Sequence, residues 1–221
     1  MAKKGELVYG VGINDADYSV YRTEKVNGKR KVVWHCPFYK MWSNMMRRAY
    51  DQKYKEKYPT YSDVCVAEHW HRFSNFKSWC SHKGQINGKQ LDKDLKIPEN
   101  KIYGPHTCLL VPSYVNSLFT DRAALRGELP LGVVYMKDKG NYMAQIQLGI
   151  KRGHKTLGRF SSAFLAHRAW QEAKIGVIDF VIKSYKVEYE SDLDQEVLHA
   201  LIHKKTILMN DIENKRETIK L

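Results

Sequence analysis

The sequence predicts an α+β protein, and three patterns carry that expectation. Short β-prone runs joined by turn residues fill residues 1–35. Two stretches with aromatic residues at helical spacing follow. Beyond Gly127 and Pro130 the strand pattern restarts, with three short strands and then an alanine-rich helical run. The 221 residues, 43% of them hydrophobic, are enough for one full core or for two small domains.

Taken in order, LVYGVG and DYSVYR are short strand-like runs, VNGKRK carries an Asn-Gly turn, and KVVWHC resumes the strand. From Pro37 the period changes. In FYKMWSNMMRRAYDQKY, Phe38, Trp42, Met45, Met46 and Tyr50 fall near helical spacing, with Arg47 and Arg48 beside the apolar stripe. AEHWHRFSNFKSWCSHK repeats the pattern through Trp70, Phe73, Phe76 and Trp79. Aromatic residues at that spacing are expected in a core rather than on a base-stacking platform. Strand character returns around Lys89–Leu95 and His106–Val111, and Pro112-Ser113 suits a helix start that sets Asn116 in its first turn. SLFTDRAALRGELP ends that helix and leads to the boundary at Gly127. In the second half, Tyr142, Ala144, Ile146 and Leu148 alternate with Met143, Gln145 and Gln147. Ser161 or Ser162 caps the helix SAFLAHRAWQEAK, which covers one sheet face and leaves the other open. The segment from about Leu193 is charged and helical. The expected divisions are 1–126, 127–178 and a mainly helical extension over 179–221.

Lys and Arg number 37 against 24 Asp and Glu, a formal charge of +13. Such a surplus attracts a polyanion, most commonly nucleic acid, and is compatible with an anionic membrane surface or an acidic protein. MAKKGELVYGVG lacks the apolar core of a secretory signal, and no apolar run reaches transmembrane length. A soluble protein of the cytoplasm is expected, the host's cytoplasm if a phage encodes it. The four cysteines, Cys36, Cys65, Cys80 and Cys108, form no C-x-x-C pair. Buried thiols are the expectation; a structural Zn2+ site is the other option, since His35, His69, His71, His82 and His106 lie near them in sequence.

The stretch QLDKDLKIPENKIYGPHTCLLVPSYVN, residues 90–116, is the hardest to assign to scaffold. Hydrolysis of a phosphodiester needs an activated water, stabilisation of phosphoryl charge and help for the departing oxygen. A divalent ion held by a carboxylate and one neutral oxygen ligand supplies the last two. A hairpin followed by a helix arranges such ligands compactly, with Asp92, Lys93 and Asn116 at the positions that matter. The competing reading of Asp-Lys-Asp is a solvated turn at a strand edge.

The segment from about Tyr39 to Phe119 resembles the HNH, or ββα-metal, nucleases found among phage and homing endonucleases. The resemblance rests on W-x-x-M-x-x-R at Trp42, Met45 and Arg48, then DVCVAEHWHRFSNFKSW, LDKD, NKIYGPHTC and VPSYVNSLF. It implies an N-terminal ββα-metal domain in which Asp92 is the hairpin metal ligand and Asn116 the helical one. The ion implied is Mg2+, or Mn2+, because the donors are oxygens. Lys93 stands where the family has its general-base histidine, and His106 is the alternative base. Thr107 lies near the place of the family's central asparagine, with Asn100 as substitute. Arg47 and Arg48 are candidate phosphate contacts, Arg48 also a candidate brace.

PLGVVYMKDKGNYMAQIQLGIKRGHKTLGRFSSAFLAHRAWQEAK resembles the APETALA-type, or ethylene-response, DNA-binding domain in its Gly-Val opening, its LGRF turn and its Ala-rich helix. The resemblance implies a C-terminal three-stranded antiparallel sheet packed on a helix, with the sheet entering the major groove of double-stranded DNA. Candidate contacts are Gln145, Gln147, Arg152, Lys155 and Arg159, with Tyr135, Lys137, Lys151 and His154 around them. The function expected is therefore a metal-dependent DNA endonuclease that cuts or nicks double-stranded DNA. The alternatives are a catalytically inactive DNA-binding regulator or inhibitor on the same scaffold, and a protein-interaction module using the aromatic helices. Neither a target site nor an oligomeric state is written in the sequence.

Overall fold

The computed structural model describes residues 7–119, 126–149 and 153–221. They form two compact units that divide between Leu110 and Val111. The architecture is mixed α+β, with three two-stranded sheets and one three-stranded sheet among the described residues.

In the first unit, β1 (Tyr21–Val26) and β2 (Lys29–His35) form an antiparallel ribbon. Asn27 and Gly28 turn it with φ of 51° and 75°, the left-handed pair that a tight two-residue hairpin requires. Pro37 then opens α1 (Pro37–Tyr50), where a missing N–H costs nothing. Tyr39, Trp42, Met45, Met46 and Ala49 bury one stripe of it. The expected run to Tyr54 is broken at Asp51. That residue is extended and its carboxylate accepts the Tyr54 N–H at 3.2 Å, capping a separate short α2 (Gln52–Lys57).

The second aromatic stretch is also divided. Glu68–His71 is a single 3-10 turn, Arg72 bridges to Ile13, and α3 runs over Phe73–His82. Its stripe is core, as its spacing implies: Trp70, Phe73 and Phe76 are buried, and Trp70 meets Phe76 edge-on at 5.1 Å. The Trp42 indole N–H donates to the Trp70 carbonyl at 2.8 Å, tying α1 to this turn. β3 (Cys65–Val66) pairs in parallel with β5 (Ile102–Tyr103), and β4 (Lys89–Asp92) pairs with β6 (Leu109–Pro112).

The second unit begins within β6 and continues into α4 (Ser113–Asn116). Its sheet has the order β7 (Val133–Met136), β8 (Asn141–Gln147), β9 (His154–Phe160), antiparallel throughout. Ser162 caps α5 (Ala163–Glu188) by accepting the Leu165 N–H at 3.2 Å. This helix packs on all three strands, and Val133, Ala144 and Ala166 centre the core between them. Gly132, with φ of 75°, lies flat against the indole of Trp170; a Cβ there would fall 1.9 Å from Cδ1.

The helix does not stop near Lys174 as its alanine-rich start suggests. IGVIDFVI continues it, and Ile178, Val181 and Tyr185 bury against α6 (Gln195–Glu213), the expected C-terminal helix. The tail folds back onto α5. The ring of His167 is fully buried, its Nε2 accepting the Thr218 N–H at 2.9 Å while Nδ1 lies 2.9 Å from the Leu131 carbonyl. A nitrogen that accepts an N–H carries no proton, so Nδ1 is the donor and the ring is neutral. Burial accordingly holds the imidazole below its ordinary pKa. Lys174, also buried, donates to the Leu118 carbonyl and lies over Phe119 at 5.2 Å; burial pushes its pKa down to about 8. Among the described residues, no helix is long and apolar enough to cross a membrane.

Candidate functional site

The LDKD stretch is a strand end and a turn. β4 stops at Asp92, where Oδ1 accepts the backbone N–H groups of Asp94 at 2.9 Å and Leu95 at 2.6 Å. An aspartate bonding the backbone two and three residues on folds the chain over itself, which is why Asp94 does not continue the alternation of Asp92. The half-buried carboxylate is pulled in two directions. Burial raises its pKa most, the two N–H bonds lower it, the charge of Asp94 raises it and Lys93 lowers it; the balance lies above the ordinary value. Both backbone bonds fall on Oδ1, so the turn engages one oxygen of the carboxylate.

Lys93 is placed as a brace. Its side chain is about 10% exposed, and Nζ donates to Asp94 Oδ1 at 2.6 Å and to the Asn100 carbonyl at 2.6 Å. Asn100 fastens the same loop from the other side. Its Nδ2 donates to the carbonyls of Lys93 at 3.0 Å and Ile102 at 2.7 Å, while Oδ1 accepts the Ile102 N–H at 3.1 Å. Thr107 closes the far end by donating to the Ile102 carbonyl at 2.7 Å. The loop between β4 and β6 is thus pinned by side chains where the strands are too short to pin it. His106 is exposed on the turn before Thr107.

Arg48, Tyr61 and Tyr103 form a neighbouring cluster, in which Tyr61 feels the charge of Asp94 and Asp92. Arg48 bonds the phenol of Tyr103 and lies near Tyr61 and Tyr54; burial works against its charge, and these oxygens together outweigh burial. Burial pushes the Tyr103 phenol up, with Arg48 opposing. Tyr61 is likewise raised by burial, with Asp94 and Asp92 adding to the effect. Arg48 therefore joins α1 to the hairpin through a phenol rather than a carboxylate. Tyr61 lies outside the motifs and Tyr103 within NKIYGPHTC, but the sequence singles out neither, and only the contact pattern reveals them. Arg47 is exposed, its guanidinium 5.0 Å from the Tyr54 ring.

Asn116 is the last residue of α4, in the second unit. Cys36, Cys80 and Cys108 are buried and Cys65 is exposed; burial drives the Cys80 thiol up and the Cys108 thiol to about 12. Among the described residues, no group of three or more His, Cys, Asp or Glu converges as a cage.

On the sheet of the second unit, cross-strand partners share a face. Val133, Ala144, Ile146, Gly158 and Phe160 fall on the helix side. Gln145 pairs with Thr156, Gln147 with His154, and Met143 with Arg159, so these six occupy the open face. A bulge at Ala144/Gln145 inserts Leu157 on β9, which turns Leu157 onto the core. Lys155 pairs with Ile146 and so belongs to the helix side, exposed at the sheet's margin. Arg152 lies outside the described residues. Comparison with protein-family models, with curated proteins and with solved structures returns no match.

Proposed function

We propose that the chain is a metal-dependent DNA endonuclease of the HNH type, an N-terminal ββα-metal unit followed by an APETALA-type reader of double-stranded DNA. The observation that carries this reading is the Asp92 carboxylate. It is fixed by two backbone N–H bonds through one oxygen, desolvated, and set at the end of β4, the strand that pairs with β6. Asp92 would hold Mg2+ or Mn2+, with Asn116 the second ligand that the HNH resemblance implies, and the bound ion would supply charge stabilisation for a phosphodiester and for its departing oxygen. Asn100, Lys93 and Thr107 keep the hairpin loop in one conformation, so that the carboxylate is preorganised. The open sheet face supports the DNA-reading half. Gln145, Gln147 and Arg159 can pair with base edges, His154 and Thr156 lie beside them, and the net charge of +13 supplies the general attraction.

One observation favours the second reading, a DNA-binding regulator or inhibitor on this scaffold. Lys93 stands where the HNH resemblance implies a general base, yet both of its contacts use it as a donor to an acceptor. On the nuclease reading, water activation falls to the exposed His106 or to the ion alone. Supercoiled plasmid incubated with the chain and Mg2+ or Mn2+ separates the two readings. Nicked circles support the nuclease; tight binding with no cleavage under either ion supports the regulator. If cleavage occurs, a slowed H106A with unchanged DNA affinity assigns the base, and unchanged cleavage eliminates His106.

A further inference from the structure

The β1–β2 ribbon is built unlike the rest of the first unit. Every strand residue except Val26 and His35 is exposed, so neither face serves a core. A strand pair normally buries at least one face, and a two-stranded ribbon alone is marginal in water. Its charges are also unbalanced. Residues 21–35 hold Arg22, Lys25, Lys29, Arg30 and Lys31 against Glu24 alone.

The register sharpens this. Lys25 stands directly opposite Arg30, on a face otherwise formed by Tyr21, Thr23, Val32 and His35. Like charges facing each other across a ladder destabilise it, and no carboxylate shares that face. The other face sets Glu24 opposite Lys31 and Val26 opposite Lys29, with Arg22 5.5 Å from the Trp34 ring. Among the described residues, none of the five cations makes an ion pair. Four of them crowd the end that carries the Asn27–Gly28 turn.

We propose that this ribbon is a second DNA-contact surface, presenting Lys25, Lys29, Arg30 and Lys31 to the phosphates of a duplex groove. The inference rests on the DNA-binding half of the proposed function and is independent of cleavage. The dimensions agree: six or seven residues extend about 20 Å, and the major groove, about 12 Å wide, admits a two-stranded ribbon. Trp34, 37% exposed beneath Arg22, gives the base of the ribbon an apolar surface for the sugar edge. A second copy of the chain is the poorer occupant, because edge-to-edge pairing would bring two unbalanced basic tips together.

Fluorescence anisotropy of the full chain with a duplex of about 40 base pairs, without divalent ion and across roughly 50–200 mM salt, tests the proposal. K25Q/K29Q/R30Q/K31Q is expected to bind at least about tenfold more weakly and to lose about three to four from the log–log salt slope. R30Q alone should lower the slope by about one. The ribbon variant should melt no lower than wild type, since a repulsive pair has been removed. K53Q/K57Q/K183Q/K186Q, which removes the same charge from exposed helical positions, should stay within about threefold of wild type. A ribbon variant that binds like this control, with an unchanged slope, overturns the proposal and leaves the sheet reading intact. Loss of binding by Q145A/Q147A/R159A with the ribbon variant unaffected does the same. A wild type that fails to bind duplex at low salt overturns both. Dimeric wild type and monomeric ribbon variant in sedimentation, with equal DNA affinity, would assign the ribbon to a second copy instead.

Discussion

Replacing Lys93 with methionine separates a brace from a base. Methionine retains most of the buried stem, so the loss is confined to the two bonds made by Nζ. The bond to the Asn100 carbonyl is a charged donor on a neutral acceptor, and removing it leaves that carbonyl short of a partner; this costs about 1.5–3 kcal/mol. The Asp94 bond counts for less, because its side chain is 52% exposed and screened by water; it adds less than about 1 kcal/mol. Burying an apolar side chain in place of an ammonium returns part of the sum. The net expectation is a loss of about 1–3 kcal/mol, or roughly 3–10 °C in Tm for a chain of this size. Differential scanning calorimetry of wild type and K93M reads this directly. A Tm unchanged within about 1 °C would show that the ammonium does not hold the loop, and would return Lys93 to candidacy as a base. N100A should cost a similar amount, and K93M/N100A less than the two together, because both fasten one loop.

Other outcomes follow from the same geometry. D92N keeps an oxygen that accepts both backbone N–H groups, so its Tm should match wild type, whereas D92A should lose about 1–3 kcal/mol in chemical denaturation. His167 is held below its ordinary value near 6.5. The unfolded chain therefore takes up its proton first, and the stability is complete above that value and lost as pH falls through the lower folded value. Thermal melts from pH 7.5 to 4.5 should show a decline that H167N reduces. Gly132→Ala should destabilise the second unit by about 3 kcal/mol or more, since its Cβ would enter the Trp170 ring from a left-handed backbone; a melt at the wild-type temperature would contradict this packing.

Much of the fold was legible because period and burial agree. The stripes through Trp42 and through Trp70, Phe73 and Phe76 are core at the expected positions, the Asn-Gly turn is where the ribbon reverses, and Pro112-Ser113 opens a helix, which stops at Asn116 instead of running into residues 117–119 as expected. What was illegible depends on contacts distant in sequence. Nothing local distinguishes Asp51 as a cap from Asp51 as a helical residue, and Arg72 leaves the helical path to bridge Ile13, fifty-nine positions earlier. The site divides in the same way. The Asp-Lys-Asp turn at Asp92 could be read from the sequence as a strand edge, but the contacts of Lys93 and Asn100 depend on a loop closing seven residues on. Tyr61 and Tyr103 become visible only through Arg48. The face assignment of Lys155 turns on the bulge at Leu157, which alternation counted along one strand cannot place.

On the proposed function, Asp92 serves a metal as well as a turn. The most direct test is the initial rate at which wild type and D92N nick supercoiled plasmid in Mn2+, at equal Tm and equal duplex affinity. D92N should be slower by at least about a hundredfold. D92N nicking at the wild-type rate would contradict it.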